Sequence, residues 1–143
     1  MSGEACSTPS DAHSRDSVNM IKGIGTDVIE IARIARVHAE YGDKFLERIL
    51  TPFEREYVAR YADPVPRIAG RFAVKEACMK ALGTGWGAGV RWRDIDVRRH
   101  PGGQPFVELS GRARERLTML EATVVHCTIT HDRDHAMAIV ILE

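Results

Sequence analysis

The chain has 143 residues, and its 20 Lys plus Arg are balanced by 20 Asp plus Glu for a formal net charge of zero. That length suits one domain with a sizeable core, and the charge balance excludes a whole-molecule field directed at nucleic acid or a membrane surface. Any electrostatic partner must therefore be met by a local patch.

Residues 1–19, MSGEACSTPSDAHSRDSVN, are polar, rich in Ser and lack apolar periodicity. They also lack the apolar core of a secretory signal, and are expected to form a disordered leader ahead of a single domain over 20–143. MIKGIGTDVI reads as an opening strand carrying Asp27 near its end. IARIARVHAEY then places Ile31, Ile34, Val37, His38 and Tyr41 on one helical face, with Arg33, Arg36 and Glu40 opposite. GDKFLERIL is a second short helix. TPFEREYVARYA opens with Thr51 as N-cap, Pro52 at the first helical position and Glu54 three residues after the cap, a capping box. DPVP stops that helix, and the main helix runs from about Pro66 to Leu82.

A glycine-rich loop follows, with Gly83, Gly85, Gly87 and Gly89 alternating. DIDVRR and PFVEL flank HPGGQ and form a hairpin. Ser110 caps a short helix to about Leu120, and TVVHCTITH and HAMAIVILE close the chain as an antiparallel pair around a polar turn at Asp132 to Asp134. This mixed order predicts α+β architecture, an antiparallel sheet packed against a long helix. Three cysteines, Cys6, Cys78 and Cys127, share no metal-ligand spacing. Cys78 in a helix and Cys127 in a strand fit reduced, buried thiols and a cytosolic address. No apolar run is long enough to span a bilayer.

The chemistry concentrates on the main helix. Taken at 100° per residue, Ile68, Phe72, Met79 and Leu82 form a bulky stripe, and Ala69, Ala73, Ala77 and Ala81 form a second one that permits close backbone approach. Glu76 projects between them, where an acid is costly unless a cation or donor meets it. Glu76 and Lys80 also fit a plain i,i+4 surface pair, and Asp27 fits a capping or turn aspartate. Together, two carboxylates from different elements suit Mg²⁺, which takes one or two carboxylates plus phosphate oxygens and water. The glycines can turn N–H groups inward around an anion. They follow the helix, at the negative end of its dipole, so Lys80 and the metal must help to hold a phosphate there. With Gly83 acting only as a helix stop, Gly85, Gly87 and Gly89 have no assigned reason. His126 reads as structural, whereas His131 opens a polar turn and is placed to meet an anion.

In GIGTDVIEI, FLERILTPFE, AGRFAVKEACMKALGTG, DIDV with GGQPFVELSG, and ITHDRDHAMAIV, the chain resembles holo-acyl-carrier-protein synthase, the small class of 4′-phosphopantetheinyl transferase, from Met20 to Glu143. Thr128 stands where that family usually has Ser. The resemblance implies a compact subunit that assembles as a homotrimer with coenzyme A in clefts between subunits. It also implies transfer of 4′-phosphopantetheine to a serine of apo-acyl carrier protein. It places Asp27 and Glu76 on Mg²⁺ and makes Asp27, Glu76 and Lys80 the catalytic group. Arg71, Lys80, Gly83, Thr84, Gly85 and His131 meet the coenzyme. The resemblance places carrier contacts on the first helix, matching Arg33 most directly, and Arg36, Lys44 and Arg48 extend the basic patch expected to meet an acidic carrier. The base is Glu76 or a metal-held water. Two other readings use the same residues: a Mg²⁺-dependent nucleotide or pyrophosphate hydrolase, and a non-catalytic module that binds coenzyme A or a carrier.

Overall fold

The computed structural model describes residues 20–85 and 87–143, so the expected leader lies outside the described residues. A three-stranded antiparallel sheet is formed by β1 (Gly23–Glu30), β4 (Val125–His131) and β5 (His135–Leu142) in the order β1-β5-β4. The last strand of the chain thus pairs with both the first strand and its own hairpin partner. A separate hairpin joins β2 (Ile95–Arg99) to β3 (Pro105–Leu109). The helices are α1 (Ile31–Tyr41), α2 (Asp43–Ile49), α3 (Pro52–Val58), α4 (Val65–Leu82) and α5 (Gly111–Met119), with a 3₁₀ turn at Trp92–Asp94.

The organising element is α4, which is buried almost all round: Ile68, Ala69, Ala73, Val74, Ala77, Cys78, Met79, Ala81 and Leu82 all lie in the core. Its small stripe does what its spacing predicts. A Cβ at Gly25 would run into the Ala77 carbonyl, and one at Gly23 into the Ala81 carbonyl. Strand and helix therefore meet backbone to backbone. In β1 the alternation carries Asp27 and Ile29 to the same side as these glycines, so the close approach delivers Asp27 to the flank of α4.

The capping box at Thr51 forms as expected. The Thr51 hydroxyl accepts from Glu54 N–H at 3.2 Å, and Thr51 N–H donates to Glu54 Oε2 at 2.8 Å. Glu54 does more than cap. Its carboxylate is fully buried, accepts from Val97 N–H at 2.8 Å and pairs with the fully buried Lys75 at 2.7 Å. The Lys75 ammonium also donates to the carbonyls of Trp92 at 3.1 Å and Ile95 at 2.8 Å. Burial drags Lys75 below the ordinary lysine range, and the Glu54 carboxylate opposes that shift. One ion pair thus ties α3, α4 and the start of β2 together, and it anchors the far end of the glycine loop.

Three local expectations change. The third helix ends at Val58 rather than reaching residue 62. Ser110 precedes α5 without a side-chain cap, because its hydroxyl turns to the Asp94 carbonyl. His131 is the last residue of β4; the polar turn follows it, where Asp132 Oδ1 accepts from the N–H groups of Asp134 and His135.

Candidate active site

Two carboxylates meet where β1 crosses α4. Asp27 is mostly covered and Glu76 half-buried. Burial first, and then the neighbouring Asp27 charge, push the Glu76 carboxyl above its ordinary value, while Lys80 and Arg33 pull it back. Lys80 does not pair with Glu76, its i,i+4 neighbour. Its ammonium reaches across to β1, donating to the Thr26 carbonyl at 2.9 Å and to Asp27 Oδ1 at 3.2 Å. Among the described residues Glu76 has no hydrogen bond or ion pair of its own. A half-buried carboxylate without a partner, beside a second carboxylate, is a donor set that attracts a cation. No third His, Cys, Asp or Glu joins them among the described residues.

The glycine loop begins as a helix stop. Gly83 is left-handed at φ 69°, its N–H donates to the Lys80 carbonyl at 3.1 Å, and Thr84 N–H donates to Met79 at 3.1 Å. This is the paired closure that glycine makes cheap. It commits the Gly83 and Thr84 amides, which the sequence reading had facing phosphate. Gly85 is different: at φ 50°, its N–H has no partner among the described residues, and a Cβ there would meet open space. Gly89 is also left-handed, at φ 78°. So three of the four glycines are explained by backbone conformation. Helix α5 holds the loop with Arg116, whose Nε donates to the Leu82 carbonyl at 2.9 Å, and with Arg112, which reaches the Ala88 carbonyl at 3.3 Å.

These backbone angles sharpen a test. Gly85→Val forces a branched residue into a left-handed angle, whereas Gly85→Asn tolerates that angle and adds bulk only at the open face. Both are expected to weaken coenzyme A binding by calorimetry. If Gly85→Asn binds like the wild type, this turn serves only to end the helix.

A second cluster lies on the opposite flank of α4. Arg71 and Glu76 are five residues apart, about 140° around the helix, so they face different ways. A pocket of about 270 Å³ there is lined by Tyr57, Arg67, Arg71, Arg99 and His131. Arg71 is 3 % exposed, and its buried Nε has no partner. Its guanidinium lies 4.2 Å from the centroid of Tyr57, and Arg67 stacks on Tyr61 at 3.5 Å. Burial lowers the Arg71 pKa from its ordinary value, with Glu54 opposing. Three guanidiniums and a histidine lining one pocket make an anion site. Arg67 and Arg99 escape the sequence reading; Arg67 is signalled by its i,i+4 spacing to Arg71, and Arg99 by nothing local.

The four basic residues of the first two helices are also divided. Arg33 stands near Glu76, and Arg36 is exposed and 3.8 Å from Glu30. Lys44 and Arg48 rim a groove of about 460 Å³ whose apolar lining includes Val37, Phe45, Phe72 and Trp92. Phe72, expected in the core stripe, is only half-buried, stacking on Trp92 at 4.9 Å and opening onto this groove.

The sequence and the fold both match known proteins. Residues 23–140 match the 4′-phosphopantetheinyl transferase superfamily. A holo-[acyl-carrier-protein] synthase of Nitratidesulfovibrio vulgaris is 52% identical over 126 residues, spanning 87% of this chain and 99% of that protein. The crystal structure of the Neisseria meningitidis synthase superposes with a TM-score of 0.80 at 35% identity, covering 87% of this chain and 99% of the other. The Bacillus anthracis synthase, solved in complex with CoA (3′,5′-ADP), gives a TM-score of 0.73 at 40% identity over 87% and 98% of the two chains. With the family match and these relatives spanning nearly all of the described fold, the chain belongs to the 4′-phosphopantetheinyl transferase superfamily.

Proposed function

We infer that the chain has holo-acyl-carrier-protein synthase activity, transferring 4′-phosphopantetheine from coenzyme A to a serine hydroxyl of apo-acyl carrier protein and releasing adenosine 3′,5′-bisphosphate. The observation that carries the residue assignment is the meeting of Asp27 and Glu76 beside Lys80, at the mouth of the glycine loop. Two carboxylates, joined by no third His, Cys, Asp or Glu among the described residues, suit Mg²⁺, which takes one or two carboxylates alongside phosphate oxygens and water. When bound, Mg²⁺ supplies charge stabilisation at the transferring phosphorus. Asp27 and Glu76 would hold it. Lys80, on a long flexible stem, neutralises the coenzyme's pyrophosphate, and Gly85 N–H faces the same phosphates. The serine proton would pass to Glu76 or to a metal-held water. On the other flank, Arg71 and His131, joined by Arg67 and Arg99, take the anionic nucleotide end.

The decisive experiment mixes the chain with coenzyme A, Mg²⁺ and apo-carrier and weighs the carrier by mass spectrometry. One added phosphopantetheine per carrier is expected, with no nucleotide turnover when the carrier is left out. A hydrolase would consume nucleotide without an acceptor, and a binding module would leave the carrier's mass unchanged.

A single subunit presents the carboxylate half and the arginine half on different flanks of α4, facing different ways. The outer face of the sheet carries exposed apolar side chains, with Ile24 62 % and Val28 60 % exposed beside Met137. Both features support a homotrimer in which the carboxylates of one subunit face the basic pocket of the next. The expectation is complementation: Glu76→Gln and Arg71→Ala chains, each inactive alone, regain part of the wild-type rate when refolded together. No recovery in verified mixed oligomers would place the whole site in one chain. No described helix is long and apolar enough to cross a membrane, and the reading places the enzyme in the cytoplasm with its carrier substrate.

Carrier proteins are acidic, and this chain has no net charge with which to draw one in. Arg33, Arg36, Lys44 and Arg48 supply the local field, and the Phe72 groove supplies an apolar seat beside it. Arg33→Glu is expected to weaken carrier binding about tenfold at low salt while leaving coenzyme A affinity unchanged. The difference should shrink as salt rises, since exposed charges are screened over about 8–10 Å near physiological ionic strength. Equal carrier binding by wild type and variant at low salt would move the docking surface elsewhere.

A further inference from the structure

We propose that Lys80 is a place-holding cation, resting on Asp27 in the free protein and leaving it for the coenzyme's pyrophosphate when metal and coenzyme bind. The inference rests on the metal reading above and adds a competition that couples the two ligands.

Lys80 sits four residues after Glu76 on the same helix, yet its ammonium bypasses that carboxylate for β1. There it has a berth of two oxygens, the Thr26 carbonyl at 2.9 Å and Asp27 Oδ1 at 3.2 Å. The side chain is 54% exposed, so nothing packs it in place, whereas Asp27 is 15% exposed. The mobile partner of this pair is the lysine. Glu76 meanwhile stays without a partner among the described residues. A divalent cation held by Asp27 and Glu76 would have to share Asp27 with the ammonium or displace it, because like charges at contact distance repel. Lys80 also lies one turn from the helix end, three residues from Gly83, and a lysine stem is long and freely rotating. The same ammonium can therefore swing to an anion at the glycine turn without any backbone movement.

The consequence is positive coupling. Metal binds weakly to the free protein because Lys80 occupies part of its site. A pyrophosphate at Gly85 draws Lys80 away and uncovers Asp27. Linkage then requires metal to tighten coenzyme binding by the same factor that coenzyme tightens metal binding.

The test uses Mn²⁺ alone as probe, its binding to the full chain read by electron paramagnetic resonance with no coenzyme present. Lys80→Met keeps a good helix former and removes the competitor, so Mn²⁺ should bind at least about fivefold more tightly than to wild type, in the usual range of coupling between sites. Arg33→Met is the control for net charge, because Arg33 also acts on Glu76 but does not touch Asp27. It should change Mn²⁺ affinity far less. Adding coenzyme A should then tighten Mn²⁺ more in wild type than in Lys80→Met. Equal or weaker Mn²⁺ binding by Lys80→Met overturns the proposal, as does an equal gain from Arg33→Met. Mn²⁺ binding that persists unchanged in Asp27→Asn, or is absent from every variant, instead overturns the metal reading on which the proposal stands.

Discussion

Lys75→Met is expected to destabilise the fold by about 3–5 kcal/mol, the usual result of removing one partner from a buried ion pair. Lys75 is fully buried and uses all three ammonium protons, one on Glu54 and two on carbonyls. Without it, Glu54 keeps two backbone donors but loses its counter-charge, and the Trp92 and Ile95 carbonyls lose theirs. For a domain of this size the loss corresponds to a fall in Tm of roughly 10–20 °C. Glu54→Gln should be costly too, and the double variant Glu54→Gln, Lys75→Met should lose less than the two single losses added, because no unpaired charge remains buried. Chemical denaturation of the four proteins gives the coupling directly. A loss below about 1 kcal/mol for Lys75→Met would show that the pair is not holding α3, α4 and β2 together.

Asp27→Ala and Glu76→Gln are each expected to cut the transfer rate by about 10²–10³ or more, the scale of removing one preorganised electrostatic contact to a transition state. The fold should survive both. Glu76→Gln should even gain stability at neutral pH. The folded Glu76 carboxyl is raised above its ordinary value of 4.5 by burial and by Asp27. The folded state therefore holds that proton more tightly than the unfolded chain does, and stability falls as pH rises from about 4.5 through the folded pKa. Above that window the charged carboxylate opposes folding, and Gln removes the opposition. Melting curves at pH 4 and pH 7 should show the variant's advantage only at the higher pH. Wild-type transfer by either variant at low Mg²⁺ would remove that residue from the site.

Local patterns in the chain carry much of this architecture. The capping box at Thr51, the hairpin around HPGGQ and the alanine stripe of α4 all form as their spacing predicts, since each depends on neighbours within a few residues. Glu76 was legible as a candidate because a carboxylate between two apolar stripes is costly locally, whereas Asp27, which also fits a capping or turn aspartate, became one only as a second carboxylate for Glu76. What local pattern missed is equally specific. Lys75 has the spacing of an ordinary helical lysine, and only the arrival of Glu54, 21 residues earlier, makes it a core residue. Phe72, on the bulky stripe of α4 by its spacing, is only half-buried and lines a groove. Arg99 gains its meaning only when the hairpin end is brought beside Arg71 and His131.

The sequence by itself determined the elements, their order and the family motifs, because caps, turns and periodic faces are set by short-range sterics and solvation. Tertiary structure decided the pairing of β1 with β5, the backbone contact of Gly23 and Gly25 with α4, and the choice of Asp27 over Glu76 as the partner of Lys80. It also decided that the arginine pocket lies across α4 from the carboxylates, and that the Gly83 and Thr84 amides close the helix. These outcomes depend on which distant groups desolvate one another. A charge's partner and cost are set by the surface that covers it, and no window of neighbouring residues contains that surface.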